Sequence, residues 1–202
     1  MKTVITISRA FGSGGREIGK RLSDELDYAY YDRELINDIS QETGLSKDYI
    51  EKYSEGGFTH SYPFHYSQSF VLPTQLPSDS LQIAQTNIVK RVAKSGNCII
   101  VGRRSDYILR DDKPFKVFVY ASDMGQRIER CYDKVPGDRV KKPKDIEKEI
   151  LSIDKMRAKY YMYHTDQKWG EMKNYNLCID TSMVDIKTAV KIIAEAVRAR
   201  NT

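Results

Sequence analysis

The chain has 202 residues, which is the usual length of one domain. Hydrophobic residues make up 40% and charged residues 30%, so a hydrophobic core can form without a stabilising disulfide bond or structural metal site. The net charge of +5 suits an anionic ligand, but acidic residues are interleaved throughout, which argues against a nucleic-acid-binding surface.

Short apolar runs alternate with helical patterns along the chain, which predicts a parallel sheet with crossover helices. The predicted strands are residues 3–7, 28–31, 98–101, 116–120 and 177–180. Helices are predicted over about 16–26, 33–42, 79–95 and 144–161, with one more around Arg127 and Arg130 and a closing one from about Ile186. We therefore expect a single α/β domain over residues 1–202.

Two segments interrupt this alternation. Residues 55–78 hold two glycines and three prolines with five Phe or Tyr residues between them, too aromatic for a disordered linker and too broken for a helix. Two interpretations stay open: a structured insertion over a binding site, or a dimer contact that would make a homodimer. Residues 134–145 are basic and contain Pro136, Gly137 and Pro143, which predicts a loop.

The three cysteines fit no zinc or C-x-x-C spacing. Cys98 and Cys178 lie in apolar runs and are predicted to be buried free thiols, which suits a reducing cytoplasm. The apolar run 4–7 is too short for a secretory signal, and no stretch approaches the ~20 apolar residues of a membrane span. We expect a cytoplasmic protein with no membrane partner.

A glycine-rich turn, Gly12 to Gly15, separates the first strand from the first helix. Glycines let the backbone approach phosphate oxygens, and the first amides and the dipole of the helix favour an anion there. The dinucleotide pattern fails because its third glycine would be Glu17, and the strict P-loop pattern fails because no lysine follows the glycines. A phosphate cradle and a purely structural turn both remain open from this segment.

Five segments resemble, in the right order, parts of cytidylate kinases, and most closely the bacterial cytidylate kinase-like family. Residues 5–18 (ITISRAFGSGGREI) resemble their phosphate-binding opening, and 30–36 resemble the start of their monophosphate-binding part. Residues 101–105 resemble their D-G-R-D strand end, 154–157 their lid helix, and 179–182 their last strand and turn. The likeness extends over nearly the whole chain.

The resemblance implies an α/β fold of the P-loop kinase type, with three layers and a central parallel five-stranded sheet flanked by helices. It implies an inserted acceptor-binding helical region at about 33–95 and a mobile lid at about 134–162. The implied activity transfers the terminal phosphate of ATP to a small acceptor, with CMP or another nucleoside monophosphate expected first. ATP, Mg²⁺ and small-molecule nucleotides are the expected cofactors and partners.

The candidate site residues follow from this resemblance and from the chemistry of phosphate binding. Arginines dominate because their planar fork grips phosphate with two bonds. The predicted phosphate-binding loop comprises Arg9, Gly12, Ser13, Gly14, Gly15, Arg16 and Glu17; the predicted catalytic residues are Arg16, Asp154 and Arg157. The predicted acceptor-binding residues are Asp32, Arg33, Arg103, Arg104 and Asp106, and those of the lid are Arg127, Arg130 and Arg139.

The loop departs from the family pattern where catalysis needs a cation. Gly15 stands where the phosphate-binding lysine belongs, and no Ser or Thr follows to hold Mg²⁺, so the metal ligands are unknown. We hypothesise that Arg16 replaces the lysine. A nucleotide-binding sensor without catalysis is the second interpretation, because it would keep the same cradle and arginines.

Several residues also have structural interpretations. Arg127 and Arg130 are equally compatible with solvated charges, and Asp32 and Asp106 with helix caps. Two interpretations remain for the aromatic residues of the segment 160–164 (YYMYH), Trp169 and Tyr175. In one they stack on a nucleotide base, and in the other they pack in the core or in an interface. The histidines, His60, His65 and His164, have no metal-ligand spacing.

Overall fold

A computed structural model describes residues 2–53, 79–132 and 142–201. Its sheet has the strand order β2-β3-β1-β4-β5, and every neighbouring pair is parallel. The strands are β1 (Val4–Arg9), β2 (Ala29–Tyr31), β3 (Cys98–Val101), β4 (Phe115–Tyr120) and β5 (Leu177–Asp180). This confirms the five predicted parallel strands and puts β1 in the centre of the sheet.

Eight α-helices are found in the described residues, of which two were not predicted. They are α1 (Gly15–Leu26), α2 (Glu34–Thr43), α3 (Lys47–Tyr53), α4 (Asp79–Lys94), α5 (Ser105–Ile108), α6 (Met124–Tyr132), α7 (Pro143–Thr165) and α8 (Ile186–Asn201). The short helices α3 and α5 were missed. Pro143 was predicted in a loop but begins α7, because proline lacks only an N–H that the first helical turn leaves unbonded.

Apolar side chains cover both faces of the sheet. In β3, Ile99 and Val101 pack with α1 and α8, while Cys98 and Ile100 pack with α2 and α4. A parallel sheet buried on both faces gives three layers, as predicted. A third cluster joins Phe11, in the glycine-rich loop, to α6 and α7 through residues such as Cys131 and Ile150.

The cysteines form no disulfide in the described residues: Cys98 and Cys131 are buried and Cys178 is half-buried. Burial raises the pKa of the Cys98 thiol to about 11. No helix in the described ranges has both the length and the apolar character that crossing a membrane requires. Three sequence predictions fall outside these ranges: the aromatic insertion 55–78, most of the basic loop, and Arg139.

Candidate functional site

The glycine-rich loop follows the carboxyl end of the central strand β1 and leads into α1. Open α/β sheets bind their ligands at this edge. Gly12 and Gly14 have φ values of 75° and 79°, in the left-handed region that glycine enters without a Cβ penalty. The predicted loop therefore lies at the position where such folds place a ligand.

Three arginines from α6 and α7 hold the backbone of this loop. Each donates a hydrogen bond to a different loop carbonyl: Arg157 Nη1 to Arg9 (2.9 Å), Arg127 Nε to Phe11 (2.8 Å) and Arg130 Nη1 to Gly12 (3.3 Å). These side chains had been predicted to serve catalysis and a lid. Here each of them contacts the loop backbone, and their predicted roles toward a nucleotide stay predictions.

Two hydroxyl groups bond the remaining loop carbonyls. Ser13 Oγ donates to the carbonyl of Ala10 (2.8 Å), and Thr181 Oγ1 donates to the carbonyl of Ser13 (2.8 Å). All five carbonyls from residue 9 to residue 13 thus accept hydrogen bonds from protein groups. Sequence reasoning missed Thr181, although a polar residue directly after the buried strand β5 was a usable signal.

The loop amides behave differently from its carbonyls. Within the described part of the chain, the N–H groups of Gly12, Gly14 and Gly15 make no hydrogen bond to the protein. Gly15 is the first residue of α1, where backbone amides lie at the positive end of the helix dipole. Fixed carbonyls beside available amides are the arrangement that binds an anion.

Asp154 on α7 joins this support of the loop. Its Oδ1 accepts the N–H of Phe11 (2.8 Å), and its Oδ2 accepts a short hydrogen bond from Arg127. Arg157 Nη1 lies 3.8 Å from Oδ1. The three charged side chains are largely buried, so the negative charge of Asp154 offsets two neighbouring cations while it fixes the loop.

Arg16 lies at the start of α1 and pairs with Asp32. The Nε of Arg16 is 2.9 Å from Oδ2 of Asp32, and Nη2 is 3.4 Å from Oδ1. Asp32 is buried and does not cap α2, whose N-cap residue is the exposed Arg33. The ion pair connects the glycine-rich loop to the predicted acceptor-binding region. Glu17, exposed on α1, forms an ion pair with Arg21.

Gly15 has no room for a side chain. A Cβ at this residue would lie 2.5 Å from the Cβ of Arg9 and 3.1 Å from its Cγ. A Cβ at Gly12 would lie 2.9 Å from the backbone oxygen of Arg127. Close packing therefore requires glycine at both positions, and at Gly12 the positive φ requires it as well.

A shallow cleft that is open to solvent lies beside Arg9, between the ends of β1 and β3 and the helix α7. Arg9, Arg104 and Arg157 line it, and none of the described lining residues is acidic. The other lining residues are Ser8, Gly102, Tyr160, Tyr161 and Trp169. Such a concentration of positive charge attracts an anionic ligand.

The predicted acceptor-binding residues after β3 have a strained backbone. Gly102, Arg103 and Arg104 follow one another with φ values of 75°, 59° and 53°, a conformation that costs non-glycine residues about 1–3 kcal/mol each. Arg103 is fully buried. Arg104 donates to Gln82 Oε1 (2.5 Å) and lies over the ring of Tyr160, 5.3 Å from its centroid. Strain of this kind concentrates at functional sites.

Asp106 is buried in α5 rather than capping a helix at the surface. The hydroxyl of Tyr161 donates to its Oδ2 at 2.7 Å. Burial raises the pKa of the Asp106 carboxyl, and this hydrogen bond opposes the rise. Burial also raises the pKa of Tyr161, so the phenol keeps its proton and donates it.

Some of the aromatic residues in and after the last turns of α7 pack against other rings, and some line the cleft. Phe118 contacts Trp169 and Tyr175, with ring centroids 5.3 Å and 5.0 Å away. Trp169 also lines the cleft. His164 lies against the ring of Tyr160, and burial, followed by the positive charge of Arg104, lowers the pKa of His164 to about 4.

The described residues do not fit a magnesium site built from protein groups. They contain no group of three or more His, Cys, Asp or Glu side chains that could hold a metal ion. The residue after Gly15 is Arg16, whose cation is already paired with Asp32. We therefore assign no step to a protein-bound metal.

A parallel sheet in the order β2-β3-β1-β4-β5, with a glycine-rich loop between the central strand and α1, defines a P-loop kinase fold. The chain belongs to the cytidylate kinase-like family, whose model matches residues 4–183. No curated protein matches the sequence.

Solved structures share the fold over nearly their whole length. An uncharacterized protein from Eubacterium ventriosum is 22% identical with a TM-score of 0.72, and the match covers 98% of this chain and 99% of that one. Shikimate kinase from Bacteroides thetaiotaomicron is 13% identical with a TM-score of 0.58, covering 98% and 99%. Shikimate kinase from Acinetobacter baumannii, in complex with shikimate, is 13% identical with a TM-score of 0.53, covering 99% and 94%. At these identities the likeness concerns the fold.

Proposed function

We propose that this protein binds ATP at the glycine-rich loop and transfers its terminal phosphate to a small acceptor, with CMP or another nucleoside monophosphate as the first candidate. The observation that carries the proposal is the difference in hydrogen bonding between the carbonyls and the amides of the loop. The carbonyls of residues 9–13 are bonded to protein groups, whereas the amides of Gly12, Gly14 and Gly15 have no partner among the described residues. Phosphate oxygens are the acceptors that such amides bind.

The cleft beside the loop supports an anionic acceptor. It is lined by Arg9, Arg104 and Arg157, and the strained segment that carries Arg104 follows the neighbouring strand β3. Two phosphorylated substrates meeting here would bring several negative charges together. Fixed cations between them lower the electrostatic cost of that encounter, which is the main task of a phosphoryl-transfer site.

The chemistry also favours a phosphate over a hydroxyl group as the acceptor. An acceptor oxygen forms a bond to the γ-phosphorus while the bond from that phosphorus to the bridging oxygen breaks, and ADP leaves. A phosphate monoester is largely ionised at neutral pH, since its second pKa is about 6, and needs no base. A hydroxyl acceptor would need a base, and three carboxylates among the described residues, Asp32, Asp106 and Asp154, are each already bonded to an arginine or a tyrosine.

A nucleotide-binding sensor without turnover is the second candidate. Its support is the loop's lack of a lysine: Gly15 has no room for a side chain, and Arg16 pairs with Asp32. A sensor would keep the anion-binding amides and lose only the cation that stabilises the transferring phosphate. We also expect a cytoplasmic protein and, from the aromatic insertion, a homodimer.

Calorimetric titration with ATP and Mg²⁺, alone and with each nucleoside monophosphate, separates these candidates when followed by a phosphate-transfer assay. We expect ATP to bind and one monophosphate to become a diphosphate as ADP forms. ATP binding without transfer to any acceptor in the panel would favour the sensor. A protein that binds no ATP would contradict both candidates.

A further inference from the structure

The side chain of Arg9 occupies the space where a side chain on residue 15 would lie. A Cβ at residue 15 would lie 2.5 Å from the Cβ of Arg9 and 3.1 Å from its Cγ, whereas real Cβ atoms essentially never approach another heavy atom within 3.0 Å. The two side chains are therefore mutually exclusive. Gly15 and Arg9 form a matched pair, in which the missing side chain on α1 makes room for one from β1.

Residue 15 is the position from which a loop lysine would reach a nucleotide. It begins α1 directly after the glycine turn, and in the strict P-loop pattern the lysine there reaches the β- and γ-phosphates. The Arg9 side chain starts within a bond length or two of the point where that lysine would start. It carries a permanent positive charge on a stem of similar length.

The surroundings of Arg9 also suit this role. Its side chain is almost wholly buried, and it lines the cleft together with Arg104 and Arg157. Its backbone is fixed on both sides: the Arg9 carbonyl accepts a bond from Arg157, and the next amide, of Ala10, donates to Val119 in β4 (2.9 Å). A cation held on a rigid strand end needs little reorganisation when phosphate arrives.

Arg16, the residue that sequence reasoning had favoured for this role, is less well suited to it. It forms two contacts with the buried carboxylate of Asp32, at 2.9 Å and 3.4 Å, and these hold its guanidinium beside the residue that follows β2. We propose that Arg9, and not Arg16, replaces the loop lysine and binds the β- and γ-phosphates of ATP. This inference rests on the proposed ATP-binding function.

The test measures ATP and ADP affinity by calorimetry for the full-length protein and for single variants. Arg9→Met keeps the apolar stem and removes the charge, and we expect it to weaken ATP binding about 10- to 100-fold, the loss of a charge-assisted hydrogen bond or two. Arg9→Lys should stay within a few-fold of the wild type. Arg16→Met tests the competing assignment and should weaken ATP binding less than Arg9→Met does, because Arg16 pairs with Asp32.

An exchange of the two positions gives the sharper readout. Arg9→Gly alone should bind ATP as weakly as Arg9→Met, and Arg9→Gly combined with Gly15→Lys should recover most of the lost affinity, because the lysine then has room. Gly15→Lys alone should destabilise the fold, because Arg9 still fills the space. A purely structural role for Arg9 would not be restored by a lysine on a different residue.

The outcomes separate the two claims. If the wild type binds no ATP, the proposed function fails. If the wild type binds ATP and Arg9→Met binds equally well, or Arg16→Met is the variant that loses affinity, only the assignment to Arg9 fails. Thermal unfolding shows whether each variant folds. If Arg9→Met does not fold, the ATP affinities of Arg9→Lys and of the double variant Arg9→Gly with Gly15→Lys test the inference instead. A double variant that folds but does not regain ATP affinity overturns the inference.

Discussion

Arg16 and Asp32 illustrate how one residue's partner changes its interpretation. From the sequence, Arg16 was the cation nearest to the glycine turn; in the structure its guanidinium is 2.9 Å from a carboxylate whose side chain is only 8% exposed. A buried carboxylate next to a fixed arginine contributes to folding stability as well as to the charge balance of the site.

Arg16→Ala is expected to lower the free energy of unfolding by about 1–3 kcal/mol, because Asp32 would stay buried without its cation. Urea denaturation followed by circular dichroism measures the loss. Lys20→Ala is the control: its pair with Asp24 is 63% and 66% exposed, and its removal should cost less than about 0.5 kcal/mol. Equal losses in the two variants would contradict the structural importance of the Arg16–Asp32 pair.

His164 gives the fold a dependence on pH that one substitution tests. Its pKa is lowered to about 4 by burial and by Arg104, below the value near 6.5 expected in the unfolded chain. The unfolded chain therefore binds a proton more readily, so the contribution of neutral His164 is complete above pH 6.5 and is lost as the pH falls toward 4.

His164→Gln, which cannot be protonated, should therefore lose less stability than the wild type between pH 7.5 and pH 5. We expect the two losses to differ by about 1 kcal/mol, allowing for partial exposure of the ring. Urea unfolding measures the free energy of unfolding of both proteins at both pH values. Because the two proteins carry the same carboxylates, the contribution of the carboxylates to the loss of stability cancels in the comparison. Parallel pH profiles for the two proteins would contradict the lowered pKa.

At the scale of elements, the important contact is between the glycine-rich loop and the helices α6 and α7. Arg127 and Arg130 come from α6, and Asp154 and Arg157 from α7, and all four bond the loop backbone or one another. The third hydrophobic cluster seats Phe11 of the loop against the same two helices. The loop is thus held in place by elements that lie far from it in sequence.

Gly12→Ala tests this packing. Its φ of 75° and a Cβ only 2.9 Å from the Arg127 backbone oxygen predict a loss of about 2–4 kcal/mol, from strain plus overpacking. Gly44→Ala is the matched control, with a φ of 70° and open space around the Cβ, and should cost only about 1 kcal/mol. Thermal unfolding compares the stability of the two variants. An equal loss of stability would contradict the close packing of α6 against the loop at Gly12.

At this scale the sequence was most informative where burial dominates. The strands at 98–101 and 177–180 were predicted with their observed bounds, because each is a short apolar run. Every residue of the strand 98–101 is buried, as in a parallel strand covered on both faces. Helix α3 has only seven residues, too few for periodicity to identify. The start of α7 was predicted one residue late, at about 144, because Pro143 was assigned to the preceding loop.

At the scale of the whole molecule, the sequence identified the loop and the arginines but not which groups they contact. Arg127 and Phe11 are 116 residues apart, and Arg157 and Arg9 are 148 apart. Nothing local in the sequence indicates that these cations bond carbonyls, because the contacts exist only once α6 and α7 pack on the sheet. The exclusion of a side chain at Gly15 by Arg9 is hidden for the same reason.

The central claim is that the amides at the start of α1 bind phosphate. Titration of ¹⁵N-labelled protein with ATP, followed by amide resonances, tests it most directly. Phosphate binding at the glycine turn predicts large downfield shifts that saturate together at Gly12, Gly14 and Gly15, with small changes at Gly44 and Gly125 as internal references. If ATP leaves the three loop resonances unchanged, or shifts only residues remote from the loop, the glycine turn is structural and the proposed function is wrong.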